Sequence, residues 1–264
     1  MNDPLNLSNR VALITGGASG IGKGAALAFA EHGARLALVD VVQEDLDKVA
    51  EEVRRKGTQV ETFVADVSDA DQVRRACDGA VEKFGRLDIV YANAGVNGVW
   101  APIEELSPEE FDKTIAINLR GTFLTIKYAV PHLRRQGGAV VVTSSVNGTR
   151  TFSNTGATAY STSKAGQVAM AKMLAVELGN YGIRVNVICP GAISTNIGEN
   201  TEQRDVDQIK VPAEYPEGTS SLTGSKPGTI DQVGQLALFL VSDMAAHITG
   251  EVVYIDAGSS LVVG

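Results

Sequence analysis

Tyr160 and Lys164 are four residues apart at the start of a predicted helix, so their side chains share one face. A free tyrosine has a pKa of about 10, too high for a base at neutral pH. A nearby ammonium group favours the phenolate and lowers that pKa. Ser145 ends a predicted strand shortly before this helix. Together these residue types predict proton exchange with an alcohol or ketone oxygen.

A glycine-rich stretch follows the first predicted strand, with Gly16, Gly20 and Gly22 in the spacing Gly-x3-Gly-x-Gly. Glycines let a backbone turn tightly and approach a pyrophosphate, and the helix that opens there supplies N–H donors. The next strand ends at Asp40. A carboxylate there can accept both ribose hydroxyls of an adenosine and would repel a 2′-phosphate. Positions 17–19, 41 and 42 hold no Lys or Arg, so we expect NAD in preference to NADP.

Short apolar runs alternate with helical patterns along the chain. The predicted strands are 11–15, 35–39, 59–64, 88–92, 139–143, 184–188 and 252–255, and the predicted helices are 20–32, 43–56, 70–84, 108–133, 159–179 and 230–242. This alternation predicts an α/β fold with a doubly wound, seven-stranded parallel sheet of the Rossmann type and helices on both faces. We expect one domain over residues 1–264, with a polar segment at about 195–229 acting as a substrate lid.

Further motifs follow in order: Asp66-Val67, Asn93-Ala94-Gly95, Asn118, and Pro190-Gly191 with Ile193 and Thr195. With the glycine loop and Ser145, Tyr160 and Lys164, they resemble the short-chain dehydrogenase/reductase family in its compact single-domain form. The resemblance covers nearly the whole chain. It implies a strand order of 3-2-1-4-5-6-7 and, commonly, a homotetramer. Apolar residues on more than one face of the helix from Ala159 independently favour association.

The resemblance also implies residue roles. Tyr160 would be the general acid/base, Ser145 would bind the substrate oxygen, and Asn118 would hold a water in a proton relay. Lys164 would bind the nicotinamide ribose and lower the Tyr160 pKa. The residues implied in cofactor binding are Gly16, Ser19, Gly20, Ile21, Gly22, Asp40, Asp66, Val67, Asn93, Ala94, Gly95, Tyr160, Lys164, Pro190, Gly191, Ile193 and Thr195.

The region between Ser145 and Tyr160 departs from the family pattern. Tyr160 follows Ser145 by fifteen residues, about two more than is usual, and residues 146–159 are rich in Thr, Ser and Asn. We expect the extra length to bulge outward over the substrate, with Asn147 contacting it. Trp100, after the fourth strand, is a second candidate substrate contact, and a loop anchor is an equally good interpretation.

Three functions remain open. The first is an NAD-dependent oxidoreductase interconverting a secondary alcohol (a small polar alcohol, a polyol or a sugar-like molecule) and its ketone. The second is an NADPH-dependent 3-oxoacyl-thioester (acyl-carrier-protein) reductase, and the third is a catalytically silent dinucleotide-binding regulator. The net charge of −8 disfavours nucleic acid and anionic membranes as partners. Three scattered histidines and two unpaired cysteines predict no metal site and a reducing, cytoplasmic location.

Overall fold

Seven parallel strands form the central sheet of the protein. The computed structural model describes residues 3–195, 197–198, 201–210, 222–224 and 226–262. The strands of the sheet are β1 (Val11–Thr15), β2 (Arg35–Asp40), β3 (Val60–Val64), β4 (Ile89–Ala92), β6 (Gly138–Thr143), β7 (Ile183–Pro190) and β9 (Val252–Ile255). Their order is β3-β2-β1-β4-β6-β7-β9. The predicted fold class and strand order are therefore confirmed.

Helices cover both faces of this sheet. They are α1 (Gly20–Glu31), α2 (Gln43–Arg55), α3 (Ala70–Phe84), α4 (Pro108–Ile115), α5 (Gly121–Leu133), α6 (Thr158–Gly179) and α7 (Ile230–Val241). All five residues of β1 are buried. Ala12 and Ile14 belong to one apolar core, while Val11 and Leu13 belong to the other. A strand buried on both faces needs this continuous apolar run, which is why alternation is missing from its sequence.

Two glycines bring α1 and α7 into close contact. A Cβ on Gly24 would lie 2.4 Å from Ile230 O, and one on Gly234 would lie 2.6 Å from Gly24 O. A side chain at either position would force the helices apart. This contact fixes α1, whose N-terminus follows the glycine loop.

Two features depart from the sequence predictions. The helix expected over 108–133 is interrupted by a π-helical turn, Ala116–Arg120, between α4 and α5. A small second sheet was not predicted: β5 (Gly98–Trp100) pairs in parallel with β8 (Thr201–Gln203). β8 falls within the expected lid, but residues 211–221 of that lid lie outside the described residues. In the described part of the chain, no helix is both long and apolar enough to cross a membrane.

Candidate active site

The glycine loop forms a cradle at the carboxyl end of β1. Gly16 and Gly20 have φ values of +65° and +49°, in the left-handed region that favours glycine. A Cβ on Gly22 would lie 2.0 Å from Gly16 O, so only glycine allows the loop to fold back on α1. The N-cap residue Ser19 makes no side-chain hydrogen bond to α1. The first N–H groups of the helix are therefore open to an anion, as pyrophosphate binding requires.

Asp40 lies at the end of β2, beside this cradle. Its Oδ2 accepts a hydrogen bond from Ala18 N at 3.1 Å, and its Oδ1 accepts one from Val41 N at 2.7 Å. Lys23, the basic residue that directly follows the glycine loop, forms an ion pair with Glu52 at 2.8 Å. The carboxylate is thus oriented toward the loop where an adenosine ribose would lie. The cradle and this carboxylate together fit a dinucleotide.

The end of β4 ties the cradle to the rest of the sheet. Asn93 Nδ2 donates to Thr15 O at 3.2 Å and to Gly16 O at 3.3 Å, while Asn93 Oδ1 accepts from Thr143 Oγ1 at 3.0 Å. Ala94 N donates to Thr15 Oγ1 at 3.2 Å. The motif beginning at Asn93 therefore joins the carboxyl ends of β1, β4 and β6.

Asp66 and Val67 follow β3 at the same edge. Asp66 is exposed, and its Oδ1 accepts from Ser68 N at 2.8 Å and from Ser68 Oγ at 2.7 Å. These bonds make Asp66 a turn residue. Val67 is buried, and a Cβ on Gly121 would lie 2.8 Å from its Cγ2.

Tyr160 and Lys164 lie in the first turns of α6, with only 8% and 3% of their surfaces exposed. Lys164 Nζ lies 5.6 Å from the centroid of the Tyr160 ring and donates to Thr143 O at 2.9 Å. Ser145 Oγ accepts from Asn147 N at 3.1 Å, and the Ser145 side chain also hydrogen-bonds Tyr160. The structure therefore brings Ser145, Tyr160 and Lys164 together where β6 ends. Sequence reasoning missed Thr143, because its contribution is a main-chain carbonyl.

Burial dominates the proton affinities of this group. It raises the pKa of Tyr160, and the hydrogen bond with Ser145 opposes that change. Burial also lowers the pKa of Lys164, to about 8. The net shift of the Tyr160 pKa is therefore upward, because desolvation of the phenolate outweighs the opposing hydrogen bond. The expected lowering of this pKa by Lys164 stays a prediction.

Asn118 lies in the π-helical turn and is fully buried. Its Oδ1 accepts from Val96 N at 2.8 Å, and its Nδ2 donates to Val96 O at 2.9 Å and to Ser163 Oγ at 3.0 Å. Its main-chain O accepts from Thr122 Oγ1 at 2.7 Å and from Gln167 Nε2 at 2.8 Å. Asn118 therefore connects the corner after β4 to α6. Because π turns often occur at functional sites, this turn supports a functional role for Asn118.

Residues 146–151 fold inward as a compact turn, so the expected outward bulge is not found in this first part of the loop, whereas Phe152 and Asn154 are exposed. Val146 O accepts from the backbone N–H groups of residues 149, 150 and 151. A Cβ on Gly148 would lie 2.2 Å from Ser161 O, so the turn packs against α6. Thr149 Oγ1 donates to Ser145 O at 2.9 Å. Asn147 is buried, and its Oδ1 accepts from Asn154 Nδ2 at 3.0 Å.

The stretch after β7 closes the site from the other side. Pro190 O accepts from Val146 N at 3.0 Å, and a Cβ on Gly191 would lie 2.6 Å from Asp256 Cβ. Ile193 forms an isolated bridge with Gly228. A Cβ on Gly20 would lie 3.5 Å from Thr195 Cγ2, so Thr195 faces the glycine cradle.

The outer residues of the site are Ile21 and Trp100. Ile21 packs partly buried against the core below the glycine loop. Trp100 is partly exposed, and its Nε1 donates to Asn97 O at 3.3 Å, which anchors the indole to its own loop. Cys189 is fully buried and hydrogen-bonds the side chains of Ser144 and Thr149. Among the described residues, no group of three His, Cys, Asp or Glu could hold a metal ion.

Comparisons with known proteins agree with this geometry. A family model described as enoyl-(acyl carrier protein) reductase matches residues 16–260. Levodione reductase of Leifsonia aquatica is 41% identical over 257 residues, which is 96% of this chain and 95% of the relative. The 3-oxoacyl-[acyl-carrier-protein] reductase FabG of Thermotoga maritima is 36% identical over 256 residues, covering 96% and 99% of the two chains.

Solved structures give the same result. The crystal structure of a 3-ketoacyl-ACP reductase from Sinorhizobium meliloti 1021 has a TM-score of 0.92 and 52% identity, covering 95% of this chain and 99% of that chain. Carveol dehydrogenase from Mycobacterium avium, in complex with NAD, has a TM-score of 0.87 and 30% identity, covering 97% and 99%. The chain belongs to the short-chain dehydrogenase/reductase family. It is an NAD(P)-dependent oxidoreductase.

Proposed function

We propose that this protein uses NAD to interconvert a secondary alcohol and its ketone, with a small polar alcohol, a polyol or a sugar-like molecule as substrate. The observation that carries the proposal is the meeting of Ser145, Tyr160 and Lys164 at the end of β6, on the edge of the sheet that also holds the glycine cradle. In open α/β sheets, ligands bind in the crevice at this carboxyl edge. Bound NAD supplies the hydride acceptor.

Tyr160 is the proposed acid/base. Its hydroxyl hydrogen-bonds Ser145, whose Oγ in turn accepts from Asn147 N at 3.1 Å. That N–H orients the Ser145 hydroxyl, so Ser145 can bind the substrate oxygen next to Tyr160. During oxidation Tyr160 takes the hydroxyl proton of the alcohol, and during reduction it returns a proton to the ketone oxygen.

Lys164 and Asn118 support this exchange. Lys164 Nζ is fixed by Thr143 O at 2.9 Å, in a position to hold a nicotinamide ribose and to keep positive charge near the phenolate. Asn118 holds Val96 by two hydrogen bonds, at 2.8 and 2.9 Å. The water-holding role expected of Asn118 in a proton relay stays a prediction, and its two hydrogen bonds to Val96 also make it a positioning residue. Asn147 and Trp100 are the proposed substrate contacts.

The choice of NAD over NADP rests on Asp40. Its carboxylate is held toward the loop by Ala18 N at 3.1 Å, and the nearby Lys23 is paired with Glu52. A 2′-phosphate would meet negative charge there without a counter-charge. The remaining proposed cofactor contacts are Gly16, Ser19, Gly20, Ile21, Gly22, Asp66, Val67, Asn93, Ala94, Gly95, Pro190, Gly191, Ile193 and Thr195.

A second candidate is reduction of a 3-oxoacyl thioester with NADPH. It is favoured by the names of two relatives, the FabG protein and the 3-ketoacyl-ACP reductase. Asp40 opposes it, since NADPH carries the 2′-phosphate. The alternative of a catalytically silent dinucleotide-binding regulator is set aside, because the chain is an NAD(P)-dependent oxidoreductase and all four proposed catalytic positions are filled.

An exposed apolar face of α6 supports the proposal of a homotetramer. Met173 and Val176 are three residues apart on this helix, with 72% and 82% of their surfaces exposed, and Phe123 of α5 is 46% exposed. Covering such a face with a second copy would remove apolar area from water. Light scattering that gives a monomer would contradict this.

We also propose a cytoplasmic location, because Cys77 and Cys189 are free and buried.

The test is a panel of secondary alcohols, polyols, sugars, ketones and a 3-oxoacyl thioester, measured with NAD(H) and NADP(H) in parallel by the absorbance of the reduced cofactor. We expect turnover of a polar alcohol or its ketone, with kcat/KM about tenfold or more higher for NAD, equivalent to about 1.4 kcal/mol. Equal use of the two cofactors would contradict the role of Asp40. Turnover of the thioester alone, with NADPH, would establish the second candidate.

A further inference from the structure

Residues 201–204 return to the body of the protein through the small sheet. β8 pairs with β5 in the register Gly98↔Thr201 to Trp100↔Gln203. Arg204 N donates to Trp100 O at 2.9 Å, and Asn97 Nδ2 donates to Thr201 Oγ1 at 2.7 Å. This segment of the expected lid is therefore attached by its backbone to the strand that leaves the corner after β4.

The side chain of Arg204 makes a second attachment. Its Nη1 and Nη2 donate to the two carboxylate oxygens of Glu110 at 3.2 and 2.8 Å, and Nη2 also donates to Glu105 O at 3.1 Å. Glu110 is itself fixed, because it forms a capping box with Ser107 at the start of α4. A planar guanidinium that meets a carboxylate through two parallel bonds defines an orientation as well as a distance.

Two parts of the chain connect this segment to the reacting residues: the loop before Tyr160 and the corner after β4. A Cβ on Gly156 would lie 2.8 Å from Ala101 N and 3.0 Å from Val206 Cγ1, so the loop before Tyr160 touches the segment. Gly156 is only four residues before Tyr160. On the other side, Asn97, which donates to Thr201 Oγ1 at 2.7 Å, is two residues after Gly95, where a Cβ would lie 3.1 Å from Asn118 Oδ1. Residues 201–206 are thus in contact with the loop before Tyr160 and with the corner after β4.

We propose that Arg204 and Glu110 form a clip that holds residues 201–206 as a fixed wall of the substrate cleft, so that this pair sets substrate affinity without touching the reacting atoms. The proposal rests on the oxidoreductase function proposed above. It divides the expected lid, since residues 201–206 belong to the scaffold. Arg204 and Glu110 are positioning residues.

The test uses Arg204→Gln, Glu110→Gln and the double variant. Gln can replace Glu at the third position of a capping box, so Glu110→Gln removes the charge and retains the start of α4. We expect each single variant to raise the KM for the alcohol or ketone about three- to tenfold, with little change in kcat or in the Kd for NADH. The double variant should be no worse than the singles, because the clip is already lost. Arg204→Lys should rescue KM only in part.

Hydrogen exchange gives an independent measurement. The amide of Arg204, bonded to Trp100 O, should exchange faster in Arg204→Gln than in the wild type. The matched control is Arg74→Gln, which breaks the exposed Arg74–Asp71 pair on α3 and should change neither KM nor this exchange. An active wild type whose KM is unchanged by Arg204→Gln, or single effects that add in the double variant, would overturn the clip. A wild type inactive on the whole panel would refute the proposed function instead, and unchanged exchange in Arg204→Gln would still refute the clip.

Discussion

Lys164 is held in an environment that opposes its charge. Its side chain is buried, and Thr143 O is its hydrogen-bond acceptor. Burial lowers its pKa from 10.5 to about 8, so the ammonium is less favourable in the folded chain than in the unfolded chain. Groups with such shifted proton affinities are concentrated at functional sites, where activity is gained at the expense of stability.

Lys164→Met should therefore be more stable than the wild type at neutral pH. The lowered pKa corresponds to about 3 kcal/mol, from which loss of the bond to Thr143 O subtracts about 1 kcal/mol. A lowered folded-state pKa destabilises the fold most below about pH 8, and the cost disappears as the pH rises to 10.5. The advantage of the variant should thus be about 2 kcal/mol at neutral pH and should shrink toward pH 10.5.

Urea unfolding of both proteins, at equal concentration and at several pH values, measures this difference. Lys172→Met is the matched control, because Lys172 is exposed on the same helix, and it should show no such dependence on pH. A Lys164→Met protein that is less stable than the wild type at neutral pH would show that the buried ammonium group does not destabilise the fold.

At the scale of the elements, the sequence predicts those strands and helices whose pattern lies within one short stretch of the chain. The seven main strands and the ends of α3 follow from apolar runs and from capping residues such as Asp69, whose side chain accepts from the N–H groups of two following residues. The π-helical turn around Asn118 was not predictable, because its bonds to Val96 and Ser163 join distant parts of the chain. The pairing of β5 with β8 was missed for the same reason, since their residues are about a hundred positions apart.

The loop between β6 and α6 carries a prediction of its own. Asn154 Nδ2 donates to Asn147 Oδ1 at 3.0 Å, and Asn147 N donates to Ser145 Oγ at 3.1 Å. Asn154→Ala removes the first bond and loosens Asn147, so we expect the KM for a polar substrate to rise about threefold or more, with the Kd for NADH unchanged. Ser153→Ala, one residue away, is the control. If steady-state kinetics give the two variants the same KM, the loop only connects β6 to α6 and does not contribute to substrate binding.

At the scale of the whole molecule, the order of the strands in the sheet brings the site residues together. The parallel order β1-β4-β6 places the ends of three strands side by side, so Gly16, Asn93 and Ser145 meet although they are far apart in sequence. Motif order was enough to predict this meeting, because each motif follows a strand. The pKa shifts of Tyr160 and Lys164 were not predictable in the same way. Burial of Tyr160 and Lys164 depends on packing from several elements, and it raises the pKa of Tyr160 and lowers that of Lys164.

The central claim is that Tyr160 exchanges the proton while NAD exchanges the hydride. Tyr160→Phe retains the ring and removes only the hydroxyl that hydrogen-bonds Ser145. With the best substrate of the panel, kcat should fall by about 10²-fold or more, the range for loss of a general acid/base. The Kd for NADH, measured by its fluorescence, should stay within about twofold of the wild-type value. A Tyr160→Phe enzyme that retains most of its wild-type kcat would contradict the account.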